Sequence, residues 1–147
     1  MKRFVSLITV AALMVAMLLP AASPTAAESH RQQADVVVVE VGPTAKLVDD
    51  GQAVRVKVKV ECEPPAEVLE ALITVHQDEG AAFGEAGITS VVCDGRTHMQ
   101  MEEVEALDST FDRGEAFVSA FVLVCLDAEC AETAQGQDSR VVRIVGS

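Results

Sequence analysis

Four cysteines, three histidines and 23 acidic side chains against 11 basic ones are the groups with which this chain could do chemistry. Cys62, Cys93, Cys125 and Cys130 form an even set, which permits three pairings. Cys125 and Cys130 flank Leu126-Asp127-Ala128-Glu129 at an expected hairpin. Residues on either side of so tight a turn come within bridging distance, which leaves Cys62 to meet Cys93. The competing arrangement joins Cys62 to Cys125 across two sheets and leaves Cys93 to find Cys130. In either case the sulfurs are read as structural bridges, which form in oxidising compartments, and a thiolate metal site is disfavoured. In the chain-entropy model a loop the size of 62–93 contributes roughly 3.5 kcal/mol and a loop the size of 125–130 about 2 kcal/mol.

The remaining chemistry is sparse. His30 sits in a polar lead, His76 points out of an expected strand and His98 follows a turn, so the three are read as unrelated surface groups. No G-x-S-x-G or S-x-x-K motif activates a serine, and Ser109, Ser119 and Ser139 lie in ordinary strand and loop contexts. Glu102, Glu103, Glu105 and Asp108 could offer oxygen ligands to Ca²⁺, but they lack the spacing of a calcium loop. They are read as a solvated face, like Asp49-Asp50 and Asp78-Glu79. Paired carboxylates could cleave a glycoside, yet the chain has no Trp and no Tyr to hold a sugar. Arg55, Lys57 and Lys59 space three cations ~7 Å apart along one strand face. They could dock an anionic wall polymer; cross-strand carboxylates are the reading adopted. Met99 and Met101 are expected to fill gaps in the core. No catalytic residue, metal ligand or cofactor site is assigned.

The elements that must carry these groups are short apolar runs between turn signals, which is an all-β pattern. Val36–Val41 ends at Gly42-Pro43, and Thr44–Val48 ends at Asp49-Asp50-Gly51. In 53–62 the valines at 54, 56, 58 and 60 and Cys62 share one face, with Arg55, Lys57, Lys59 and Glu61 on the other. Period two with β-branched residues inside describes a strand with one face in the core and one in water. Val68–Gln77 would turn Leu69, Ala71, Ile73 and Val75 inward. Residues 78–87 read as a loop or weak edge strand, and Ile88–Cys93 as a strand. A further strand is expected from Thr97 to about Val104. Glu115–Cys125 is apolar on both faces and suits a central strand. Cys130–Ala134 returns, a Gly-Gln loop interrupts, and Arg140–Val145 closes the chain. Seven or eight strands with turns roughly every ten residues suit an immunoglobulin-like antiparallel β-sandwich of about seven strands with two disulfides; an up-and-down barrel or a jelly roll fits the same count.

At the N-terminus Lys2 and Arg3 precede an uncharged apolar run, Phe4–Leu19, then Pro20 and small residues. This is the pattern of a cleaved signal peptide over 1–27, with Thr25 and Ala27 at the cut. A flexible lead at 28–34 and one domain at 35–147 follow. Loss of Lys2 and Arg3, with no acid lost, would take the net charge from −12 to −14. Such a charge disfavours nucleic acid and anionic lipid. The expected location is extracellular, with no stable membrane insertion after cleavage. The expected role is a secreted non-enzymatic module for an extracellular protein or cell-wall component.

The strand ending in Cys62, then Val68–Gln77, Val91-Val92-Cys93-Asp94-Gly95, His98 and Gly114-Glu115-Ala116 resemble small secreted immunoglobulin-like domains of high-GC Gram-positive bacteria. The likeness covers most of 35–145. Its motifs are structural, so it implies a fold and no activity. A more limited resemblance, in Cys125-x4-Cys130 followed by the strand Ser139–Val145, is to neocarzinostatin-type chromoproteins. That resemblance implies a small-ligand carrier with an apolar cleft between the sheets, for which Phe83, Phe111, Phe117 and Phe121 are the available aromatic lining. The chain departs from those proteins in pairing cysteines over long range where they have a second local hairpin.

Overall fold

The nine-residue alternation from Val54 to Cys62 can hide one side from water only when the backbone is extended, and extended it is. The structure, a computed structural model, describes residues 36–78 and 81–146; the expected signal peptide and lead lie outside them. Seven strands follow in order: β1 (Val37–Val48), β2 (Ala53–Cys62), β3 (Glu67–Gln77), β4 (Ala82–Gly87), β5 (His98–Glu105), β6 (Gly114–Cys125) and β7 (Thr133–Val145). They lie in the order β4-β3-β6-β7-β1-β2-β5. The sheet folds over so that β4-β3-β6-β7 forms one layer and β1-β2-β5 the other. The two meet where Thr44, Ala45 and Lys46 of β1 run parallel to Arg143, Ile144 and Val145 of β7, while the other ladders are antiparallel. At the opposite margin an isolated bridge joins Gly84 to Ala106. The result is the expected immunoglobulin-like β-sandwich of seven strands.

Its core is mostly valine. Val54, Val56, Val58 and Val60 of β2 face Ile73 and Val75 of β3 and Val118, Ala120, Val122 and Val124 of β6, all fully or almost fully buried. Each such valine stabilises the fold by ~1.5–3 kcal/mol relative to exposure. Among the described residues Phe111 is the one phenylalanine fully buried; it closes one end, its N–H donating to Gly51 O at 2.8 Å. The loop carrying it is held by buried Gln77. The Gln77 Nε2 donates to Asp112 O at 3.0 Å and Glu115 O at 3.4 Å, while Oε1 accepts from Asp112 N–H at 2.9 Å. A buried amide left unpaired would be costly, so this arrangement fixes both the glutamine and the loop.

Both disulfides follow the hairpin argument: Cys62–Cys93 with Cα atoms 4.6 Å apart and Cys125–Cys130 with Cα atoms 4.9 Å apart. Other expectations are corrected. Ile88–Cys93 is not a strand. Ser90 has φ 62°, and the segment is held by side chains instead of a ladder: Glu102 accepts from Thr89 N–H at 3.0 Å, and Gln100 Nε2 donates to Ser90 O at 3.1 Å. Leu69 does not face in; a bulge between Val68 and Glu70 absorbs it and leaves it 51 % exposed. The break expected near Gly136 is absent, and β7 is continuous. Gly136 fits because the layer beneath is close: a Cβ there would lie 2.6 Å from Val37 O. Gly42-Pro43 likewise does not end β1 but marks its register shift between Val41 and Ala45. At that shift the Val41 N–H donates to Asp138 Oδ2 at 2.8 Å, and Arg140 Nη2 lies 2.7 Å from the same oxygen.

Candidate functional site

The outer face of β1-β2-β5 carries the basic stripe. Register places Glu40 beside Lys59 and Arg55 beside Glu103. The side chains follow: Lys59 Nζ–Glu40 Oε2 is 3.0 Å and Arg55 Nη2–Glu103 Oε2 is 2.7 Å. The cross-strand reading of Arg55 and Lys59 is therefore what the structure displays, and Lys57 lies between them opposite Met101. Met99 and Met101 do not fill the core; they are about half exposed on this face. Val104 and Glu102 point inward, so period two sends the odd-numbered residues of β5 outward.

The outer face of β4-β3-β6-β7 is different. Four-strand register builds three rows across it. Phe83, His76, Phe117 and Val141 form the first. Glu85, Thr74, Ser119 and Ser139 form the second, with Ser139 Oγ donating to Ser119 Oγ at 2.8 Å. Leu72, Phe121 and Gln137 continue from Gly87 as the third, and Leu123 stands beyond them. Phe117 is 49 % exposed and Val141 60 % exposed. An open depression of about 540 Å³ lies over this end, lined by His76, Asp78, Glu115, Phe117 and Val141 among others. Three of the five phenylalanines therefore sit outside the sandwich, not between its sheets. Acidic residues edge the patch: Glu70, Glu85, Asp78 and Glu115 are all exposed, and Arg143 is the cation opposite Glu115 in register.

The other candidate groups do not converge. His98 Nε2 lies 2.8 Å from Asp94 Oδ1, and His76 Nδ1 lies 3.3 Å from Asp78 Oδ1, on different parts of the surface. Asp94 is a turn-forming residue. It also accepts from Arg96 N–H at 3.0 Å, Gly95 follows with φ 73°, and Gly95 N–H donates to Cys62 O at 3.0 Å. The hydrogen bond from His98 is the main reason its carboxyl lies below the ordinary value of 3.8; desolvation opposes it, and the Arg96 N–H adds to it. The Cys-Asp-Gly sequence is thus a pinned turn beside a disulfide. The acidic run splits: Glu102 is buried against Thr89, while Glu103, Glu105 and Asp108 line an open acidic depression with Asp49. Among the described residues no group of three or more His, Cys, Asp or Glu could hold a metal ion.

Sequence reasoning missed the outer apolar face as a unit. Its residues were visible, but only cross-strand register puts Phe83, Phe117 and Phe121 side by side. It also missed Gln77 and the Asp138–Arg140 pair, which have no motif. Among the described residues no helix is long and apolar enough to cross a membrane. Neither a protein-family model nor a curated protein matches the sequence.

Proposed function

We propose that this protein is a secreted, non-enzymatic binding module that engages an extracellular protein or cell-wall component through the outer face of β4-β3-β6-β7. The observation that carries the reading is the half-exposed pair Phe117 and Val141 at one end of an outer face that also carries Phe83, Leu72, Phe121 and Leu123. Soluble monomers seldom leave such a patch open to water unless it is used. Aromatic side chains are also the commonest energetic anchors of interfaces. Two disulfides and an N-terminus of signal-peptide type support the extracellular location. The separated histidines, each with its own carboxylate, support a role without catalysis.

The test is retention of purified protein on the cell envelope and secreted proteins of the producing organism, comparing wild type with Phe117→Ser/Val141→Ser. Saturable retention that the double variant loses is the expected result. Retention that the variant keeps would move the interaction to another surface, and no retention by wild type would overturn the reading.

A second reading, a small-ligand carrier of the neocarzinostatin type, draws on the depression of about 540 Å³ beside Phe117. Native mass spectrometry of protein taken directly from culture separates the two. A bound small molecule, lost with Phe117→Ser, favours the carrier.

A further inference from the structure

We infer that the segment laid on this face is a cationic, amphipathic stretch of polypeptide; the inference rests on the binding-module reading above. Two observations select this occupant, size and charge. Three strand spacings across and the six residue steps from Phe117 to Leu123 along β6 make the rows, hydroxyl row included, about 14 Å by 20 Å, or about 300 Å². A stable complex between folded proteins, including a pair of copies of this chain, needs about 800 Å² from each side. A little over half of such an interface is apolar, about 450 Å² of the 800, so these rows fall short of a globular partner's apolar core and match a short peptide segment. Apolar side chains of that segment cover Phe117, Val141, Leu72 and Phe121, and the Thr74-Ser119-Ser139 row between them supplies hydroxyls for its polar groups.

Charge fixes the sign of the segment. Glu70 and Glu85 on the face and Asp78 and Glu115 at its end outnumber Arg143, and the whole chain carries −12. Two copies brought face to face would set these carboxylates against one another, which costs affinity. Lysines or arginines flanking apolar residues would meet them with the complementary sign. On the opposite layer the exposed Met99 and Met101 stand opposite Lys59 and Lys57, so a cationic segment would meet its own sign there.

The probes are synthetic amphipathic peptides of equal length built from Lys and Leu, from Glu and Leu, and from Lys and Ser, titrated into the folded, oxidised protein and followed by fluorescence anisotropy. The Lys/Leu peptide is expected to bind at least ~tenfold more tightly than either other peptide. Glu70→Gln/Glu85→Gln/Glu115→Gln is expected to weaken it by ~tenfold and flatten its salt dependence. Glu40→Gln/Glu103→Gln, on the opposite face, should leave it unchanged. Equal binding of the Glu/Leu peptide would overturn the charge assignment, and equal binding of the Lys/Ser peptide would overturn the apolar one. Equal weakening by both sets of Glu→Gln variants would reduce the effect to net charge and remove the site. No binding of the Lys/Leu peptide, while Phe117→Ser/Val141→Ser still abolishes retention on the natural surface, would overturn this inference alone and leave the binding-module reading standing.

Discussion

The two outer faces of the sandwich come from the same alternation of residues and finish in opposite states. On β1-β2-β5 Arg55 and Lys59 are met across strands by Glu103 and Glu40, and the half-exposed Val38, Met99 and Met101 stand singly among the charges. On β4-β3-β6-β7 the outward positions of β6 include Phe117, Ser119, Phe121 and Leu123, with Val141, Leu72, Thr74 and Ser139 beside them and His76, Gln137, Gln135 and Glu70 completing the rows. One face scatters its exposed apolar side chains among paired charges; the other gathers aromatic ones into rows and keeps that surface in water at a free-energy cost that folding does not recover. The comparison teaches that an apolar outward row carries functional information, whereas a basic row carries little when carboxylates stand opposite.

The largest test of the contrast concerns how each layer is tied down. Cys62–Cys93 anchors β2 of the charged layer across a sequence separation of 31, and Cys125–Cys130 closes a separation of 5 at the end of β6. Replacing the first pair by alanine should cost ~3.5 kcal/mol and the second ~2 kcal/mol in denaturant unfolding. Equal losses, or none, would show that loop closure is not what the bridges contribute. Surface changes should be much smaller. Phe117→Ser/Val141→Ser should move stability by about 0.5 kcal/mol, because both side chains stand on the surface, about half or more in water. Arg55→Ala should cost ~0.2–1 kcal/mol and lose that cost in high salt. If the Phe117/Val141 variant unfolds instead, that face belongs to the core and not to a partner.

The smallest effect is that of Asp94. Its carboxyl is held below the ordinary 3.8, chiefly by the His98 hydrogen bond, so the charged form is favoured in the folded protein. The stabilisation is complete above 3.8 and disappears as pH falls below it through the folded-state value. Asp94→Asn should therefore be less stable than wild type at neutral pH, with the difference closing in acid. A difference that widens in acid would reverse the sign.

How much could be read beforehand depended on whether a residue's fate was local. The valine alternation of β2 and the short loop between Cys125 and Cys130 determine their own outcome, so β2, both disulfides and the sandwich were within reach. Ile88–Cys93 has strand-forming residues, but Glu102 and Gln100 on another strand take its backbone groups. Leu69 obeys period two until a bulge displaces it. The methionines could have been placed by one further step, since an inward Val104 in the same strand requires an outward Met101. The apolar face was beyond reach for a different reason. Its residues come from four strands, and no single segment states that Phe83, Phe117 and Val141 share a row.

The bridge between Gly84 and Ala106 has a consequence for association. It brings the first and last strands of the array within pairing distance, so the array almost closes on itself. A side chain could not fit there, because a Cβ at Gly84 would run into Glu105 O and Val104. Farther along β5, the segment after β4 lies beside the strand and is fastened to it by Glu102 and Gln100. Rows of unsatisfied amides, the usual templates for fibril growth and for strand addition by a guest, are thereby curtailed. At this margin whatever approaches must read side chains, and polymerisation through exposed backbone is resisted there by the geometry of the closure itself.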